Sequence, residues 1–325
     1  CRPRPAACAR RGHTPGVIRA AAPAPGEALP GFGPYQALRL IGRGASSVVY
    51  AAAHRGSGAA VALKVLSAQA EGDGGDDAHR RFLDQARIGA RLAHPDIAAV
   101  HEAGRQRGCA WLAMELLPGC ELTRYTRAPR LLPDALVLQI GERLARALAH
   151  AHARGVVHRD LKPANVMLDL PAGTLKLTDF GIAGLADASR TRTGVVLGTP
   201  LYMAPEQLAG APADARSDLY ALGVLLYELL GGRRPHEHAS LGELLRQVAQ
   251  QPAPDLRTLR PGLDDAAAEL VARCLHKQPS SRPADAAALA DALQVLRRRG
   301  SGGGAGPMQN PALPDGCAAP PKPCR

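Results

Sequence analysis

His158-Arg159-Asp160-Leu161-Lys162-Pro163-Ala164-Asn165, with Asp179-Phe180-Gly181 fourteen residues beyond Asn165, decides how this chain folds and what it can do. The two pieces put a carboxylate base, a basic group, an amide and a second carboxylate on neighbouring loops. In-line phosphoryl transfer asks for little more: an oriented nucleophile, neutralised phosphoryl charge and metal ions held from two sides. Asp160 is the candidate base for an attacking hydroxyl. Asn165 and Asp179 offer the hard oxygens that suit Mg2+. Any one of them alone would read as a turn residue. Their order and spacing overturn that reading.

Upstream, Ile41-Gly42-Arg43-Gly44-Ala45-Ser46-Ser47-Val48-Val49 lies between two strand signals. Such a hairpin lets backbone N–H groups approach phosphates where no Cβ intervenes. Ser47 stands where a third glycine would complete a G-x-G-x-x-G pattern. One strand later, Val61-Ala62-Leu63-Lys64 brings a lysine onto an otherwise apolar strand, which turns a plain Gly turn into a nucleotide site. A dinucleotide site is excluded, because the loop leads into a strand and not a helix.

Together these blocks resemble the protein-kinase superfamily, most closely the bacterial serine/threonine kinases of eukaryotic type, over roughly residues 35 to 296. The resemblance implies an α+β, bilobal fold and transfer of the γ-phosphate of ATP to protein Ser/Thr hydroxyls, with Mg2+. It gives Lys64 the α and β phosphates and Lys162 the γ-phosphate. Met114 would guard the back of an adenine pocket that includes Ala62, with Glu115 to Leu117 as hinge. Residues 198–206 resemble a peptide-docking segment that small-molecule kinases generally lack, and Thr199 beside it would bond Asp160 and Lys162. Glu206 should pair with Arg282, and Asp218 should hold the catalytic loop. Thr191 and Thr193 are expected autophosphorylation sites, with Arg159 as the partner of their phosphate, and a homodimer would serve trans-autophosphorylation. The chain departs from the family at Gln85, where a helix glutamate normally pairs with the strand lysine. That departure motivates an alternative, an ATP-binding scaffold of weak catalysis.

Composition narrows the field. Of 325 residues, 46% are hydrophobic and 21% charged, an ordinary balance for a globular chain. The net charge of +11 looks like a nucleic-acid signal. Most of it sits in the two tails, however, so nucleic acid is not the expected partner. The seven cysteines show no metal-ligand spacing. Cys109, Cys120 and Cys274 read as buried, inert thiols in a reducing compartment. The apolar run 219–230 carries Glu228 and is shorter than a membrane span, so it reads as a buried core helix. A cytoplasmic location follows from the phosphate donor. The chain begins at Cys1 and not Met, as a fragment or a processed chain would.

Along the chain, residues 1–34 read as a disordered leader, 35–298 as the kinase domain, and 299–325 as a flexible tail. The domain divides into a sheet lobe, 35–117, and a mostly helical lobe, 118–298. Strands are expected at 35–41, 48–54, 61–66, 98–103 and 109–114. Helices are expected at 80–92, entered through Asp76 and Asp77, and at 133–154, 217–230, 241–250, 266–275 and 284–298.

Overall fold

A computed structural model describes residues 29–44, 47–66, 75–106, 108–180, 200–238 and 240–300. The smaller lobe is a six-stranded antiparallel sheet in the order β1-β2-β3-β4-β6-β5, built from β1 (Gly31–Phe32), β2 (Tyr35–Arg43), β3 (Ser47–His54), β4 (Ala60–Leu66), β5 (Val100–Gln106) and β6 (Cys109–Glu115). β4 lies inside the sheet and is buried from Val61 to Leu66. Its period-two alternation separates two faces. Val61, Leu63 and Val65 pack with Phe32, Tyr35 and Trp111. Leu66 turns the other way, onto Phe82 and Ala86 of α1 (Gly75–Gly89). Trp111 is 4% exposed, with the Tyr35 ring edge-on at 5.5 Å. A Cβ on Gly104 would stand 2.6 Å from its indole ring, so only glycine allows the strand so close.

The larger lobe is organised around α4 (Ala215–Gly231), every residue of which from Ser217 to Leu230 is buried. The 219–230 run is thus a core helix. Asp214 caps it by accepting from the backbone N–H groups of Arg216 and Ser217, and Gly232 ends it in the left-handed conformation. α2 (Asp134–His152) crosses it, and at Gly141 a Cβ would come within 2.8 Å of Leu226. α3 (Pro205–Leu208), α5 (Leu241–Gln250), α6 (Asp265–Cys274) and α7 (Ala286–Gly300) complete the described helices. A three-stranded sheet, β7 (Cys120–Glu121), β8 (Val166–Asp169) and β9 (Thr174–Leu177), flanks the catalytic loop. The lobes meet where Ile97 bridges Leu177, with Ala98 N donating to Leu177 O and Leu177 N to Asp96 O.

Several boundaries differ from the sequence expectation. Among the described residues, regular structure begins at Gly31, ahead of Tyr35, because β1 pairs antiparallel with the start of β2. α1 starts at Gly75, so Asp76 and Asp77 lie inside its first turn. It stops at Gly89, short of residue 92, where Arg91 N and Leu92 N donate to Ile88 O and Gly89 O, three residues back, and the chain tightens into a turn. β5 runs over Val100–Gln106, later than expected, with a register shift between Val100 and Glu102. α7 continues to Gly300. Of the three cysteines expected to be buried, only Cys274 is; Cys109 and Cys120 are half-buried, since each opens a strand at the edge of its lobe. None of the described helices is long and apolar enough to cross a membrane.

Candidate active site

The strand register gathers the upstream residues on one face. Val49 lies opposite Lys64, Lys64 opposite Leu112, and Ala62 opposite Met114. Directly opposed residues of an antiparallel pair point the same way, so Val49, Lys64, Ala62 and Met114 share the face turned toward the larger lobe. Gly42 and Arg43 close the hairpin against Val49 and Val48, and Gly44 N donates to Ser47 O at 2.8 Å. Ile41 is 39% exposed at the sheet's edge. Val48 belongs to the apolar cluster on the opposite face, so its side chain is turned away from the shared face. Ala45 and Ser46 lie outside the described residues.

Lys64 Nζ is 2.7 Å from Asp179 Oδ1, with the lysine 9% and the aspartate 29% exposed. Burial pushes the Asp179 carboxyl up, but the charge and hydrogen bond of Lys64 outweigh it, helped by His158 and Lys162, and hold it below the usual range. Asp179 stands in the left-handed region, at φ 61°. The side chain of Gln85 is outside the described ones, whereas Asp84 pairs with Arg87 at 3.0 Å, away from Lys64. Behind Asp179 a cavity of about 20 Å³, room for one water, is lined by Ile97, Val100, Leu112, Met114 and Phe180.

On the catalytic loop, Asp160 Oδ2 accepts from Lys162 Nζ at 2.8 Å and from Asn165 Nδ2 at 3.1 Å. Asn165 Nδ2 also donates to Asp160 O at 2.7 Å. These bonds fix the amide's orientation and leave Asn165 Oδ1 and Asp160 Oδ1 without a partner among the described residues. With the second oxygen of Asp179, Asn165 Oδ1 forms the hard donor set that a divalent cation prefers, so the residues fit Mg2+. Asp160 Oδ1 is left to accept a proton.

The loop is held from beneath. Asp218, 1% exposed, accepts from His158 N at 2.8 Å, Arg159 N at 2.9 Å and His152 Nε2 at 2.8 Å. Arg159 takes φ 69°, a conformation that needs such a hold. His158 Nε2 donates to Thr178 O at 2.9 Å, Nδ1 accepts from Asp160 N, and its ring lies 4.6 Å from that of Phe180. Thr178 N in turn donates to Asn165 O at 2.9 Å, tying the metal-site loops together. The Arg159 side chain has no hydrogen bond or ion pair among the described residues, and its Nε is buried. Thr191, Thr193 and Thr199 lie outside the described residues.

Glu206 and Arg282 form a two-pronged ion pair, both contacts at 2.7 Å. Arg282 is fully buried and also donates to the carbonyls of His276, Arg216 and Lys277, with its guanidinium 5.0 Å over the Tyr220 ring. Glu115 accepts from Lys176 Nζ at 2.9 Å and from Ala99 N at 3.1 Å, which commits its side chain to the seam between the lobes.

Two groups escaped the sequence reading. His152 sits in the last turn of α2, and nothing in periodicity marks it as an Asp218 donor. Glu228, 2% exposed, accepts from Tyr202 Oη and from Arg127 at 3.1 Å, and Arg127 also reaches Glu237 at 3.0 Å. Burial raises the Glu228 carboxyl, and burial together with the Glu228 hydrogen bond raises the Tyr202 phenol. The available signal was a lone acid in the apolar run 219–230.

Known proteins resemble this chain. The family model described as "Protein kinase domain" matches residues 35–294. The chain is 41% identical over 273 residues to the DNA damage-responsive serine/threonine-protein kinase RqkA of Deinococcus radiodurans, covering 82% of this chain and 40% of that one. It is 37% identical over 295 residues to the serine/threonine-protein kinase PknA of Mycobacterium tuberculosis, covering 89% and 66% respectively. The chain therefore spans about two fifths of the first of these relatives and two thirds of the second. Among solved structures, the PknI kinase domain of M. tuberculosis superposes with a TM-score of 0.67 at 35% identity, over 83% of this chain and 98% of that one.

Proposed function

The chain belongs to the protein kinase family, in its bacterial serine/threonine branch, and on that basis we propose that it transfers the γ-phosphate of ATP to Ser and Thr hydroxyls of protein substrates. The observation that carries this reading is the catalytic loop itself. Asp160 keeps one oxygen without a partner among the described residues while Lys162 and Asn165 hold the other. The free oxygen would orient the substrate hydroxyl and take its proton as the oxygen attacks. Lys162, 2.8 Å from Asp160, would stand beside the transferred phosphoryl group and offset its charge. Lys64 would hold the α and β phosphates under the Gly42–Gly44 hairpin. Mg2+ held by Asn165 and Asp179 would neutralise charge on the phosphate oxygens. Ala62 and Met114 would line the adenine site, with the 115–117 backbone as its hinge.

Gln85 does not weaken this reading, because Lys64 has a carboxylate without it, and no observation favours a scaffold. Arg159, whose side chain has no partner among the described residues, supports activation by phosphate on Thr191 or Thr193, which would bring nearly two charges and three acceptors. The same reading puts the protein in the cytoplasm, with protein acceptors and not nucleic acid as partners, and with a transient second copy as the autophosphorylating partner.

The test is transfer of labelled phosphate from ATP to a generic basic protein, with and without Mg2+. Asp160→Asn should bind ATP nearly as well while turnover falls by two or more orders of magnitude, about 3 kcal/mol or beyond. Equal transfer by wild type and Asp160→Asn would refute the assignment.

A further inference from the structure

Lysine is scarce in this chain. The 40 Lys and Arg residues include lysine only at 64, 162, 176, 277 and 322. Lys64, Lys162 and Lys176 each hold a carboxylate, Asp179, Asp160 and Glu115, within 2.9 Å. Lys322 lies outside the described residues. Lys277 is the described lysine with no carboxylate at ion-pair distance. Its Nζ instead lies 3.2 Å from His236 Nε2. An ammonium has only donors, so Nε2 carries the lone pair and the imidazole is neutral. His236 is 5% exposed, and burial, reinforced by the Lys277 charge, pushes its imidazolium down to about 4.

Lys277 follows α6 on the turn that leads to Arg282. It is half-buried, so part of its side chain meets solvent. The charged groups beside it are Arg282, whose Nη2 donates to Lys277 O at 3.2 Å, and Glu206, which pairs with that guanidinium at 2.7 Å. Burial, and then the Arg282 guanidinium, lower the lysine to about 8. An amine beside a neutral imidazole acceptor, with no carboxylate at ion-pair distance of its own, is the arrangement of an activated nucleophile. The kinase reading makes no use of it.

We propose that Lys277 is an acylation site, whose Nζ takes an acyl group from an activated donor, an acyl phosphate or an acyl thioester, with His236 aiming the amine. The neutral Nζ lone pair attacks the donor's carbonyl carbon, forming the C–N bond. The phosphate or thiolate leaves with the electron pair of its bond to that carbon. The surplus proton on nitrogen passes to His236 Nε2 and on to water. The product amide has lost the positive charge beside Arg282 but keeps one N–H for His236.

The experiment uses the full chain with an equimolar peptide carrying one ordinary lysine. Acetyl phosphate is the donor in one arm and acetyl-coenzyme A in the other, across pH 6 to 10. Site occupancy is followed by peptide mass spectrometry. At pH 7.5 a lysine titrating near 8 is about a quarter neutral, against about a thousandth for an ordinary one. Lower basicity offsets part of that gain, so Lys277 should react about ten-fold faster than the peptide, with a rate midpoint near pH 8. The arm that labels identifies the donor. His236→Glu sets a carboxylate against the ammonium and should slow labelling about ten-fold while moving the midpoint upward. A wild-type midpoint near 10 with peptide-like rates in both arms would overturn the proposal, and needs no variant to fold. An unchanged rate in a folded His236→Glu would overturn the role of His236.

Discussion

Replacing Asp218 with asparagine should cripple turnover without touching the nucleotide. The carboxylate is 1% exposed and its two oxygens accept three hydrogen bonds, from His152 Nε2, His158 N and Arg159 N, at 2.8, 2.8 and 2.9 Å. An amide of the same shape turns one acceptor into a donor. In its less damaging orientation the NH2 group faces Arg159 N–H, so one charge-assisted bond worth about 1.5–3 kcal/mol is lost. Arg159 also sits at φ 69°, a conformation costing about 1–2 kcal/mol that this bond helps to hold. Together about 3 kcal/mol is removed from the working geometry of the loop, or roughly 100-fold in kcat at 1.4 kcal/mol per decade. Lys64, Asp179 and the hairpin are untouched, so the KM for ATP should move less than about three-fold. Initial rates against ATP and against a basic protein acceptor separate the two constants, and chemical denaturation checks folding. A folded Asp218→Asn enzyme within about three-fold of wild-type kcat would refute the claim that this carboxylate sets the loop.

Arg282→Lys keeps the charge but abandons most of the fully buried five-bond array, and should cost about 3 kcal/mol, read as a fall of several degrees in Tm. An unchanged Tm would count against the pair as a structural latch. Burial pushes the Glu206 carboxyl up, but hydrogen bonds from Arg282, its own backbone N–H and Ser217 hold it below the usual range. Its contribution is therefore present above the unfolded value and is lost as pH falls through the folded one, below about pH 4. Denaturation midpoints from pH 7 to 3 should fall more steeply for wild type than for Glu206→Gln, and parallel curves would contradict the coupling. Incubation with Mg-ATP should put phosphate on Thr191 or Thr193, and the Thr191→Ala/Thr193→Ala double variant should be several-fold slower; full activity there would refute the switch.

The site was legible in the sequence because its chemistry restricts residue type. A carboxylate base, a lysine, an amide and a second carboxylate within 20 or so positions leave few alternatives, and Lys64 betrayed itself as a charge on an apolar strand. α4 was legible for a related reason: the apolar run 219–230, broken by Glu228 and shorter than a membrane span, reads as a buried core helix. What stayed hidden depends on contacts between distant segments. β1 has two residues and gains its stability from β2, so no local pattern announces it. His152 and Asp218 are 66 positions apart and are joined only when α2 and α4 cross. The partner of Lys64 was open until Asp179 came within 2.7 Å.

Trp111 is the sole tryptophan of the chain, and it lies wholly within the sheet lobe. Its indole emission therefore reports on that lobe alone, while far-ultraviolet circular dichroism is dominated by the helices of the other. The pair amounts to a two-channel thermometer that nature has already installed. Heating the unlabelled protein and overlaying the two signals would tell whether the lobes melt as one cooperative unit or in succession. Repeating the scan with Mg-ATP would measure, in degrees, how firmly a molecule seated between the lobes fastens one to the other.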